Sequence, residues 1–222
     1  MLREIILDVE TTGLNFNKGD KIIEIGCMEL IDKIPTGRFF HSYINPNFLI
    51  SKESYLIHGL NNNFLSDCDT FPDISDNFLN FIKDSTIVAH NAQFDMGFIN
   101  NELTSINKKP ISYNRVVDTL DIARNIFPNK KNNLNILCKR FFISIKNRTT
   151  HSALIDSQLL ADVYYNLNFL KIIGYKSFLS DDDEDNKDDE YMKNSGKFMD
   201  VYRYIHNSIA KNKTGFPNKF LF

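Results

Sequence analysis

Asp8 and Glu10 stand one residue apart in the run Ile5-Ile6-Leu7-Asp8-Val9-Glu10-Thr11-Thr12-Gly13-Leu14. An apolar run bounded by Thr-Thr-Gly reads as a buried β-strand, whose alternation places Ile6, Asp8 and Glu10 on one face and Ile5, Leu7 and Val9 on the other. Two carboxylates then share one face of a core strand. Such a pair is costly to bury and repels itself, so it persists only if a shared proton or a divalent metal neutralises it. An isolated Asp-x-Glu at a strand end is more often two solvated acids. The pair carries chemistry only if other segments bring partners to it.

Two further acids lie on apolar helical stripes. Asp156 is followed by Leu160, Val163 and Leu167 at i+4, i+7 and i+11, and Asp95 by Phe98, Ile99 and Leu103 at i+3, i+4 and i+8. Either acid alone fits a helix start, where a negative charge meets the positive end of the helix dipole. Three elements each turning a carboxylate inward create repulsion that Mg²⁺ or Mn²⁺ would relieve, since both prefer oxygen ligands and keep water positions open. His151 stands five residues before Asp156. On one helix the two would be about 500° apart and on different faces, so His151 belongs in the loop before the helix. A neutral imidazole there can accept a proton from water at physiological pH, although a lone loop histidine is more often a surface residue.

The elements that must position these groups follow from periodicity. Lys21–Ile31 and Arg38–Ile44 read as two strands after the first, joined by a turn over Asp32–Gly37 that carries Pro35 and Gly37. Ser51–Leu60 and Asp73–Lys83 are helical, and Thr86–His90 is a short strand running into His90-Asn91-Ala92-Gln93-Phe94-Asp95 and a helix that ends before Pro110. Arg115–Thr119 is a strand, Leu120–Phe127 and Leu134–Phe142 are helices split by Pro128, and Ala153–Leu170 is the longest helix. A strand meander followed by strands alternating with helices implies an α/β fold, a mixed sheet flanked by helices.

Composition narrows the class. The 222 residues are 42% hydrophobic, enough for one enzyme-sized core with an appendage. Cys27, Cys68 and Cys138 are odd in number and widely spaced, which suggests neither a disulfide framework nor a zinc site and fits a reducing cytoplasm. No basic N-terminus leads into an apolar segment, and no apolar run is long enough to span a bilayer. A formal net charge of −2 argues against tight non-specific duplex binding, in which many phosphates must be neutralised. Eight acids between Asp181 and Glu190 mark an acidic flexible linker over 176–195, after which Phe198, Val201, Ile205 and Ile209 recur at helical spacing.

Asp8-Val9-Glu10, His90-Asn91-Ala92-Gln93-Phe94-Asp95 and His151-x-x-x-x-Asp156 together resemble the three motifs of the DEDDh 3′→5′ exonucleases, whose fold is RNase H-like. Order, spacing and intervening elements agree over roughly residues 1–170. Within that family, Lys-Ile-Ile-Glu-Ile-Gly, Ile-His-Gly-Leu and Ile-Phe-Pro-Asn-Lys look like segments of the proofreading epsilon subunits of bacterial DNA polymerase III.

The resemblance implies a mixed sheet with an antiparallel meander plus parallel strands, and an exonuclease domain over 1–175. It implies two divalent cations, Mg²⁺ or Mn²⁺, held by Asp8, Glu10 and Asp156 directly and by Asp95 mostly through water, with His151 as general base. Asp8, Glu10, Asp156, Glu53 and His58 would meet the substrate, with backbone or hydroxyl contacts from Thr11 and Thr12. The substrate would be a single-stranded or frayed 3′ DNA end. The polymerase III alpha subunit would bind the 196–222 segment as a tether, and a small accessory subunit is a further partner of the family. The family's sliding-clamp contact is in question, because Tyr175-Lys176-Ser177-Phe178-Leu179 departs from a Gln-led clamp motif. Alternatives are a stand-alone enzyme trimming short RNA ends and a catalytically silent scaffold of the polymerase, the latter with no physical need for buried acids.

Overall fold

The computed structural model describes residues 1–145 and 150–172. They fall in a compact unit spanning residues 1–177. The linker expected over 176–195, the tether over 196–222 and the segment compared with a clamp motif lie outside the described residues.

Five strands form one mixed sheet in the order β3-β2-β1-β4-β5, with β1 at Arg3–Thr11, β2 at Ile22–Ile31, β3 at Ile34–Tyr43, β4 at Thr86–Ala89 and β5 at Val116–Asp118. β1 to β3 are an antiparallel meander, and β4 and β5 add in parallel. Among the described residues, seven α-helices accompany them: α1 Lys52–His58, α2 Asn62–Ser66, α3 Phe71–Ile82, α4 Ala92–Ser105, α5 Thr119–Ile126, α6 Leu134–Arg140 and α7 Ala153–Ile172. This is the mixed, helix-flanked sheet that the order of elements implied.

Alternation along β1 assigns its two faces. Ile5, Leu7 and Val9 pack with Phe78 and Ile82 of α3 and with Met96, Phe98, Ile99 and Leu103 of α4. The opposite face carries Glu4, Ile6, Asp8 and Glu10 and meets α7, where the Tyr164 hydroxyl donates to Glu4 Oε1 at 2.8 Å. The helix with the longest apolar stripe therefore covers the strand face that holds the acids.

Three local expectations are corrected. The β2–β3 turn is Asp32-Lys33, both left-handed (φ 48° and 70°), not a loop reaching Gly37. Two left-handed residues form the tight hairpin whose twist matches the strands. Pro35 and Gly37 fall inside β3, which tolerates them because it is an edge strand. Helix α3 starts two residues early, since Thr70 and Asp73 form a reciprocal capping box and Pro72 fits the first turn. Helix α2 went unread, its only start signal being Asn61, whose side chain accepts from Phe64 N–H at 2.9 Å.

Candidate active site

The site is built at the end of β1. Asp8 lies opposite Gly26 and Glu10 opposite Glu24 in the β1–β2 register, with an irregularity directly after Glu10. A bulge at that point re-aims the residues that follow. Glu10 is 9% exposed, whereas Asp8 keeps partial exposure. The inward face expected for both residues is the one they occupy.

Asp95 reaches the same strand from the other side. The β1–β4 pairing runs only from Glu4↔Thr86 to Ile6↔Val88, and Val9 N–H, past its end, donates to Asp95 Oδ1 at 3.1 Å. Helix α4 is steered there by Asp118 at the end of β5. The Asp118 carboxylate accepts from Asn91 N–H at 3.0 Å and from Ala92 N–H at 2.9 Å, while also taking Leu120 N–H at 2.9 Å. One side chain thus starts both α4 and α5.

Asp156 arrives on the first turn of α7 and is buried. The helix comes so near because β2 has a glycine at the crossing. A Cβ at Gly26 would lie 2.3 Å from the carbonyl carbon and oxygen of Ala153 and 2.4 Å from Leu154 N. His151 stands in the loop before α7, its Nδ1 3.3 Å from Asp156 Oδ2. Its N–H donates to Ile57 O at 3.3 Å. Ligand-type atoms of Glu10, His151 and Asp156 all lie within 4.8 Å of one another.

Electrostatics separate these acids from the other buried ones. Glu4 lies 2.5 Å from Lys33 Nζ, Glu102 lies 3.1 Å from Lys21 Nζ, and Glu29 lies 2.6 Å from Arg3 Nε. For Glu29 burial works upward, but hydrogen bonds from Thr36 and Arg3 and the charges of Arg3 and Arg38 hold it below the usual carboxylate range. Asp8 is pushed well above that range, first by burial and then by Asp95, Glu10, Asp156 and Glu24 in turn. Among the described residues, the charges acting on it are carboxylates. Asp95 is also raised, burial outweighing the N–H bonds it accepts, with Glu10 and Asp118 adding repulsion. An oxygen-rich set plus one imidazole, strained by its own repulsion, fits a divalent cation.

The four residues expected at the terminal nucleotide divide. Glu53 is exposed in the first turn of α1. His58 ends that helix, 4% exposed. Its Nδ1 accepts Leu60 N–H at 3.0 Å, which leaves Nε2 to donate to Ser54 Oγ at 3.0 Å; that hydroxyl donates to Thr11 O at 3.1 Å. Burial holds the His58 imidazole below its ordinary value, against a small upward pull from Glu24. The neutral His58 ring thus ties the end of α1 to the end of β1. Thr11 Oγ1 donates to Gly13 O at 2.6 Å, and Thr12 Oγ1 donates to Asp20 Oδ1 at 3.2 Å while accepting Lys21 N–H at 3.0 Å. Both hydroxyls hold the loop, which leaves backbone contacts as what they can offer outward.

Sequence reading missed Asp20, Glu24, Gly26 and Ser54. Asp20 organises the loop after β1, taking Thr12 Oγ1 and also Asn15 N–H at 2.9 Å, and a Cβ at Gly13 would strike its carboxylate at 2.4 Å. Asp20→Ala is expected to cost about 1–2 kcal/mol, read as a fall of about 4 °C in melting temperature, through the loss of two charge-assisted bonds. Differential scanning calorimetry checks it. Leu14, 83% exposed at the tip of that loop, and Leu56, 71% exposed between Glu53 and His58, were visible in the sequence only as apolar letters.

A family model described as exonuclease, RNase_T, matches residues 5–164. The chain is 54% identical over 169 residues to a protein named DNA polymerase III subunit epsilon from Buchnera aphidicola subsp. Baizongia pistaciae, covering 73% of this chain and 69% of that relative. It is 41% identical over 213 residues to the protein of the same name from Rickettsia prowazekii, covering 95% of this chain and 90% of the other. Among solved structures, the nuclease domain of 3′hExo, a DEDDh family member, matches with a TM-score of 0.63 at 18% identity over 76% of this chain and 92% of that one. That last match bears on the fold.

Proposed function

The chain belongs to the DEDDh exonuclease family, with the DNA polymerase III epsilon subunits, and from that premise we propose how its site works as a proofreading 3′→5′ exonuclease. The observation that carries the reading is the convergence of Asp8, Glu10, Asp95 and Asp156 from β1, α4 and α7, with His151 3.3 Å from Asp156 and Asp8 pressed by Asp95, Glu10, Asp156 and Glu24.

Asp8, Glu10 and Asp156 would hold divalent cations directly, with Asp95 contributing through water. Mg²⁺ or Mn²⁺ in that position would supply charge to the attacking and leaving oxygens of a phosphodiester displacement. His151 removes a proton from the attacking water. Asp156 orients its imidazole through Nδ1, which leaves Nε2 to take the proton. Glu53, exposed beside the end of β1, accepts the terminal 3′-hydroxyl and so measures the strand end. Leu14 and Leu56 offer apolar surface to an unstacked base. A mismatched terminus is the easiest to unpair, so a site that takes single-stranded ends removes errors first.

In the polymerase, the 196–222 segment would tether the alpha subunit, with a small accessory subunit as a further partner. Among the described residues no helix is long and apolar enough to cross a membrane, and replication in the cytoplasm is the setting of this reading.

The test is hydrolysis of 5′-labelled single-stranded DNA and of a short RNA, each with Mg²⁺, Mn²⁺ or chelator. Stepwise shortening of the DNA from its 3′ end, lost in chelator, is the expected result. Preference for the RNA would move the enzyme to end trimming.

A further inference from the structure

Glu24 is a buried acid beside the site that the proposed chemistry does not use. It faces Glu10 across the β1–β2 ladder and is 1% exposed. A carboxylate so buried needs partners. Its Oε1 takes two: the Ser152 hydroxyl, which donates at 2.9 Å, and His41 Nε2 on the neighbouring strand, at 2.8 Å. His41 is itself fixed edge-on against the Tyr43 ring, with centroids 4.7 Å apart.

Ser152 stands between His151 and the first residue of α7. Its carbonyl accepts Asp156 N–H at 2.8 Å in the opening turn of that helix. The same residue is thus bonded to β2 through its side chain and to Asp156 through its backbone, while sitting next to His151. His151 N–H also donates to Ile57 O, at 3.3 Å. Gly26 removes the side chain that would keep α7 off the sheet, and the Glu24–Ser152 bond sets where along the sheet the helix starts.

We propose that Glu24 is a positioning residue for hydrolysis: fixed by His41, it holds Ser152 and through it sets His151 and Asp156 against Glu10. The role rests on the proposed reading of His151 as the base. Such positioning acts on the reacting geometry and not on strand-end binding, because small misplacements of a catalytic group cost rate steeply. It therefore affects kcat and leaves KM alone.

The experiment measures kcat and KM on 5′-labelled single-stranded DNA with Mg²⁺, far below melting, for the full chain and its variants. Ser152→Ala is expected to lower kcat about tenfold with KM within about twofold, and Ser152→Thr, which keeps a hydroxyl, to restore most of the loss. Glu24→Gln keeps an acceptor oxygen and is expected to stay within about threefold of the native kcat, whereas Glu24→Ala falls as far as Ser152→Ala. The double variant Glu24→Ala/Ser152→Ala is expected to be no worse than the poorer single one, since both break the same link.

Full kcat in Ser152→Ala, a loss carried by KM, or additive losses would overturn the role. If Glu24→Ala does not fold, the Ser152→Ala and Ser152→Thr pair still decides. The native chain and Asp8→Asn run alongside: an inactive native chain overturns the nuclease reading and this role with it. An active native chain, an inactive Asp8→Asn and an unimpaired Ser152→Ala overturn the positioning role alone.

Discussion

Asp8→Asn is expected to lower kcat for metal-dependent strand shortening by three orders of magnitude or more, about 4 kcal/mol, and at the same time to raise the melting temperature of the metal-free protein at pH 8. Both effects come from the same electrostatics. Asp8 is pushed far above the ordinary carboxylate range by burial and by Asp95, Glu10, Asp156 and Glu24, so its charge opposes the metal-free fold. Asparagine keeps the shape and removes the charge. The rate is lost because a neutral amide cannot help hold divalent cations, while the fold gains because one member of a repelling set is gone.

The pH dependence follows with a definite sign. The folded chain, without metal, binds protons at Asp8 and Asp95 more tightly than the unfolded chain does, whose aspartates titrate near about 4. The stability these two residues contribute is complete below that value and is lost as pH rises toward their raised folded values. In chelator, their contribution to the melting temperature declines from about pH 4 upward. Added Mg²⁺ or Mn²⁺, which binds the ionised form, is expected to raise the melting temperature more at pH 8 than at pH 5. Asp8→Asn flattens both responses. Scanning calorimetry of native and variant protein, with chelator and with metal, checks the pattern; a lower metal-free melting temperature for Asp8→Asn at pH 8 would mean that the repulsion is not what limits the fold there.

Gly26→Ala is the second large effect. The added methyl would stand 2.3 Å from the Ala153 backbone and 2.4 Å from Leu154 N, and backbone in a helix cannot swing aside as a flexible side chain can. The start of α7 must lift from the sheet. Overpacking of this kind costs about 1–3 kcal/mol of stability. The cost to activity is larger, because the displaced turn carries Asp156 with His151 just before it, and a shift of about 1 Å in reacting groups costs on the order of a hundredfold in rate. A variant that folds, melts several degrees lower and retains about 1% of kcat is the expected outcome of steady-state kinetics and calorimetry together. Near-native kcat would mean that α7 can rise without moving Asp156 relative to Glu10.

Much of the site was legible because its residues sit on elements with strong local patterns. Alternation along Ile5–Glu10 is enough to put Asp8 and Glu10 on one face, and 3.6-residue spacing is enough to put Asp156 with Leu160, Val163 and Leu167. His151 had to leave the helix on angular grounds alone, and it stands in the loop. Helix α2 and the Asp32-Lys33 turn were not legible, since five residues show no period and a two-residue turn without Gly or Asn carries little signal. His58 illustrates a different gap: the family resemblance implied a nucleotide contact, and only the positions of Leu60 N–H and Ser54 show what both ring nitrogens bond within the fold.

What the sequence by itself determined is the inventory and the facing: which acids a strand or helix would turn inward, and the alternation of elements that makes a mixed sheet. Periodicity is a local property and needs no partner. What only the tertiary structure decided is which faces meet. Gly26 accepts the start of α7, Asp95 takes a strand N–H left past the end of β4, and Glu24 holds a serine 128 residues away. Nothing in the local pattern of β2 announces these contacts, because a glycine's missing side chain and a buried glutamate's partner acquire meaning only when another element arrives within bonding distance. The cluster around Asp8 is such a case: β1 alone brings only Glu10 beside it, and the added repulsion of Asp95 and Asp156 exists only once α4 and α7 arrive.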